Sequence, residues 1–123
     1  MTRALLPISV LLVTLMAFAS PQLTRGTRQD NNLEITFQPR AIYPYKGRKK
    51  EIEGEVVLQI TLKADGTVGE IVNKTRKDRR RLEKYGFVEN AITAAKKIRF
   101  NPRIKNGEPV STLVTRVYTF SIY

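Results

Sequence analysis

The stretch EVVLQITLKADGTVGEIV, residues 55–72, constrains the fold most. Val56, Leu58, Ile60 and Leu62 alternate with Val57, Gln59, Thr61 and Lys63, the period of a strand with one face buried. Asp65-Gly66 supplies the positive φ angles of a tight reversal, so the return strand over residues 67–74 must run antiparallel. Its apolar Val68 and Ile71 stand three apart, and the alternation slips as it does at a bulge. Asp65 has no acid/base partner near it in sequence and reads as a turn residue.

The flanks supply the second layer. Pro44 suits the first turn of a short helix over residues 44–52, ending at Gly54. In FVENAITAAKKIRF, Val88, Ala91, Ile92, Ala95 and Ile98 form one stripe of a helix, and Ala91 and Ala95 let it lie close on a sheet. Lys96, Lys97 and Arg99 complement the dipole at its C-terminus. Between hairpin and helix, KTRKDRRRLEKYG reads as a solvated, extended basic loop. Asn106-Gly107 and Pro109 turn the chain into a last strand over residues 110–123, with Val114, Tyr118, Phe120 and Ile122 on one face, interrupted by Arg116. The order α-β-β-α-β predicts a two-layer α+β domain, a three-stranded antiparallel sheet against two helices.

Composition narrows the chemistry. The chain's 123 residues suffice for one domain. Neither cysteine nor histidine occurs, which removes the usual zinc ligands, the commonest general base and the Ser-His and Cys-His nucleophile pairs. The sequence therefore predicts a protein that is not an enzyme and needs no cofactor. Twenty-two Lys+Arg against 11 Asp+Glu give +11, a balance that favours anionic partners.

The N-terminus reads as a signal peptide over residues 1–19. Arg3 starts it, residues 4–19 are apolar apart from Ser9 and Thr14, and Ala17-Phe18-Ala19 offers small residues before a cut between Ala19 and Ser20. Those 16 apolar residues span roughly 24 Å as a helix against ~30 Å of hydrocarbon. Retention as an inner-membrane anchor is the alternative. Cleavage leaves +10 and a periplasmic address, which argues against nucleic acid as a partner and limits membrane contact to the periphery. Residues 20–37 are polar without clear period and read as a leader or linker.

Taken in order, Tyr43-Pro44, a basic stretch ending in Ile52-Glu53-Gly54, VVLQITLKADGTV, a helix closing in IRFNP, then NGEPV and a terminal strand resemble the C-terminal domain of TonB-type energy transducers. The resemblance covers residues 38–123. It implies an α+β fold with a three-stranded antiparallel sheet. It also implies a role: the terminal strand, here Arg116, Val117, Tyr118, Thr119, Phe120 and Ser121, captures an extended "box" peptide from the plug of an outer-membrane transporter by β-augmentation. By position, Arg40, Ala41 and Ile42, leading into Tyr43 and Pro44, are the second receptor-contacting segment. Some relatives carry glutamine where Arg40 stands; here Gln38 lies two residues earlier. Many carry tryptophan where Ile98 stands.

About five strand hydrogen bonds at a net ~0.5–1.5 kcal/mol each, against at least ~4 kcal/mol of lost freedom, predict micromolar or weaker capture. The same edge is open to self-association between copies. Two other readings fit the residues: a tethered energy transducer with its N-terminus retained, and a basic envelope protein whose Arg79, Arg80 and Arg81 bind anionic lipid or polysaccharide.

Overall fold

A computed structural model describes residues 30–122. The segment that the sequence reads as a signal, with the junction Ala19-Ser20, lies outside them. Ten elements follow one another: β1 (Glu34–Phe37), α1 (Tyr45–Lys49), β2 (Gly54–Leu62), β3 (Val68–Asn73), α2 (Arg79–Lys84), α3 (Phe87–Ala95), β4 (Arg99–Asn101), β5 (Arg103–Lys105), β6 (Glu108–Val110) and β7 (Thr112–Phe120).

The central strand is β2, in an antiparallel sheet of order β3-β2-β7. Its alternating residues Val56, Leu58, Ile60 and Leu62 are buried, as their period requires. They meet Phe87, Val88, Ala91, Ala94 and Ala95 of α3, together with Tyr118 and Phe120 of β7, in one core. Each large side chain buried this fully contributes about 1.5–3 kcal/mol. The slip in β3 is a bulge: Ile60 faces Ile71, but Leu62 faces Val68, so β3 carries one extra residue. At the turn Gly66 takes φ 91°, and Asp65 accepts bonds from Thr67 N–H (3.0 Å) and Oγ1 (2.6 Å).

The α+β architecture and three-stranded sheet stand as the sequence predicts, with four departures. The segment over residues 74–86 is not extended throughout. It holds a third helix, α2, because Leu82 fits against Gly54 and becomes fully buried, an anchor that outweighs the repulsion among its arginines. Residues 34–37 are not featureless leader: β1 pairs with β4, Ile35 opposite Phe100. The last strand begins at Thr112 rather than at residue 110, since Glu108–Val110 folds back on β5. Finally, α1 is shorter than residues 44–52. Glu51 sits in the left-handed region at φ 55° and stops the helix.

Where β3 ends, a side chain takes over its role. Thr75 is buried; its Oγ1 accepts from Val57 N–H (2.9 Å) and lies 3.5 Å from Val57 O, to which it donates. Lys74 N–H also donates to Val57 O (2.8 Å).

Candidate functional site: the free edge of the last strand

These bonds to Val57 fix the orientation of β7. Both backbone polar groups of Val57 point toward β3, so the facing pair Val57–Val117 exchanges no bonds. The β2–β7 register runs unbroken from Gly54–Phe120 to Leu62–Thr112. Alternation along an antiparallel ladder then turns the N–H and C=O of Leu113, Thr115, Val117 and Thr119 away from β2. Among the described residues no strand lies beyond them: β7 is a sheet edge there, and β1 pairs with β4 instead.

Across from this edge stands the chain just before α1. Gln38, Pro39, Arg40, Ala41 and Tyr43, with Arg48 of α1, form one wall of a groove. Val117, Tyr118, Thr119, Phe120 and Ser121 form the other, and the space between is about 660 Å³. An aromatic cluster holds the walls apart. Tyr43, Phe87 and Phe120 meet edge to face, with centroids 5.6, 5.6 and 4.9 Å apart. The Tyr43 hydroxyl donates to Ile52 O, and the Arg48 guanidinium lies 5.0 Å from the Tyr43 ring centroid. Burial pushes the Tyr43 hydroxyl above its ordinary pKa, helped by Glu53 and opposed by Arg48. Gly47 makes the cluster possible, because a Cβ there would stand 2.3 Å from the Phe87 ring.

One side chain spans the groove. Arg116 Nε donates to Gln38 Oε1 (3.1 Å), while its Nη1 donates to the outward carbonyl of Thr115 (3.3 Å). Tyr118 is buried at the wall's base; among the described residues its hydroxyl has no hydrogen-bond partner, and burial raises its pKa.

Of the residues assigned from the sequence, Arg40, Ala41, Tyr43 and residues 117–121 share this groove, and Arg116 bridges it. Ile42 faces the other way. It is 72% exposed, its carbonyl accepts from Asn90 Nδ2 (2.7 Å), and it lines a separate cleft toward α3. Pro44 is buried as the N-cap of α1. Arg48 is not among the residues assigned from the sequence, and Gln38 is named there only as a displaced glutamine; both enter the site through folded contacts, Gln38 with Arg116 and Arg48 with the Tyr43 ring, that no sequence period announces. Among the described residues no cluster of metal-binding side chains occurs, and no helix is long and apolar enough to cross a membrane.

Residues 39–122 match the family model described as Gram-negative bacterial TonB protein C-terminal. The chain is also similar to the solution NMR structure of the Pseudomonas aeruginosa TonB CTD, with 24% identity and a TM-score of 0.57 over 76% of this chain and 90% of that one. That likeness supports the fold. No curated protein matches the chain. Domains of this family are periplasmic and non-enzymatic, and interact with outer-membrane TonB-dependent transporters. The chain belongs to the TonB C-terminal domain family, and with it to TonB-dependent transport.

Proposed function

We propose that this domain captures an extended segment of an outer-membrane TonB-dependent transporter by adding it as a fourth strand on β7. The observation that carries the reading is the row of outward backbone groups on Leu113, Thr115, Val117 and Thr119, of which Val117 and Thr119 line the groove. A visiting strand finds donors and acceptors in register with its own. It must displace Arg116 from Thr115 O, and Arg116, Arg48 and Arg40 surround it with positive charge.

The test is titration of the protein with N-terminal box peptides of such transporters, followed by amide NMR shifts. Shifts concentrated on residues 113–121 and 38–43, with micromolar or weaker affinity, are expected. Thr119→Pro removes an outward donor and abolishes the shifts without unfolding the sheet. Absence of binding in the wild type at millimolar peptide defeats the proposal. Residues 38–123 form the binding domain in this reading. Residues 1–19 are a signal that is removed, so the mature protein starts at Ser20; N-terminal sequencing of the protein from cell fractions decides between that and a retained anchor.

A further inference from the structure

We infer that the face built by α1, α2 and the loop before α2 is a docking surface for an anionic phospholipid bilayer. Residues 46–50 and 74–84 carry eleven Lys and Arg, half of the chain's 22, and each of them is exposed. The same two segments hold two acids, Asp78 and Glu83. Among the described residues the ion pair present is Arg79–Glu83, at 3.4 Å. The fold brings the two segments together instead of separating them. Lys50, at the end of α1, and Lys84, at the end of α2, stack on the same Tyr85 ring, 5.9 and 5.4 Å from its centroid. Eleven cations against two acids in these segments leave an excess of like charge that repels itself, and that repulsion is relieved when an anionic surface neutralises it.

The shape favours a bilayer. The cations ride on two short helices, at the end of the first and in the loop before the second, with flexible side chains. The nearest cavity, about 460 Å³, is lined by Glu53, Glu55 and Asp78 as well as by Lys74, Arg76 and Lys77, so its charges cancel. A polysaccharide or acidic peptide is best held in a cationic groove, whereas an array of mobile cations fits the disordered phosphates of a headgroup layer. Tyr45, 76% exposed with the Lys49 ammonium 6.0 Å from its ring centroid, supplies the amphipathic ring that favours the membrane interface. This surface is separable from peptide capture, since ten of its eleven cations lie outside the groove and Arg48 alone is shared with it.

The test is co-sedimentation of the full chain with vesicles of phosphatidylcholine alone or with about one-third phosphatidylglycerol. The readout is the difference between the two, because the apolar N-terminal segment acts on both. Binding to the anionic vesicles is expected to be about tenfold or more stronger and to fall as salt is raised. Lys46→Glu/Lys49→Glu/Arg80→Glu/Arg81→Glu, exposed positions outside the groove, abolishes the difference while circular dichroism stays unchanged. Lys46→Arg/Lys49→Arg retains it. Thr119→Pro also retains it, which separates this inference from the capture proposal. Equal binding to both vesicle types, an undiminished difference in the folded charge-reversed variant, or binding to soluble dextran sulfate without binding to vesicles overturns the inference.

Discussion

Thr75 does the work of a missing strand with one hydroxyl. It answers Val57 N–H where β3 has stopped, in a site closed to water. Thr75→Val keeps the shape and removes the acceptor, leaving that amide without its bond. The expected loss is about 1–3 kcal/mol, read from the urea midpoint, with Thr75→Ser retaining most of the stability. Asp65 makes a prediction in pH. Its bonds from Thr67 hold the carboxyl below its ordinary pKa, 3.8 for an isolated group. A depressed acid contributes stability that is present above the unfolded-state pKa and is lost as pH falls through the folded one. Thermal melts should therefore show a wild-type advantage over Asp65→Ala at neutral pH that shrinks below about pH 4. An advantage unchanged at pH 2 would show that the turn does not depend on the charge.

At the scale of elements, what the sequence made legible was whatever repeats an apolar period or carries a turn signal. β2 and α3 declare themselves because each repeats one apolar period against one core, and Asp65-Gly66 marks the reversal into β3. α2 was hidden because a lone leucine, Leu82, anchors it and five of the surrounding charges suggest solvent. β1 was hidden although Leu33, Ile35 and Phe37 alternate with Glu34 and Thr36; four paired residues amid a polar leader are too short a run to stand out. The groove was legible in part: the resemblance named the last strand and Arg40, Ala41 and Tyr43 of the facing wall, but the bridge from Gln38 to Arg116 and the place of Arg48 exist only in the folded chain. α1 carries a prediction of its own scale. Gly47→Ala drives a methyl into the Phe87 ring, and no small rotation of that ring escapes, since Tyr43 and Phe120 pack on it edge to face. Overpacking of this kind costs about 1–3 kcal/mol. Because the ring cluster holds the groove walls, Gly47→Ala should weaken peptide capture as well as lower the melting temperature. Reduced stability with unchanged capture would place the cluster outside the site.

For the whole molecule, the question is where the domain begins. The family match starts at residue 39, yet the chain before it is stitched to the body. Asn31 and Ile104 exchange backbone bonds of 3.0 and 2.9 Å, Asn106 N–H donates to Asp30 Oδ1 (2.7 Å), and Asn101 Nδ2 donates to Glu34 Oε1 (3.1 Å). Leu33 and Ile35 pack on the core, and Ile35 lies opposite the buried Phe100. At a net ~0.5–1.5 kcal/mol per bond, plus partial burial of two aliphatic side chains, the leader strand contributes about 2–4 kcal/mol. It also runs directly into Gln38, so it anchors the groove wall opposite β7. Two truncations separate these roles from a passive linker. A chain beginning at Asp30 should match the full protein in both its denaturation midpoint and its affinity for box peptides. A chain beginning at Gln38 should unfold at lower denaturant and bind more weakly, because its wall has lost the strand that positions it. If the shorter chain keeps both properties, β1 is a fastening that neither the fold nor the groove requires.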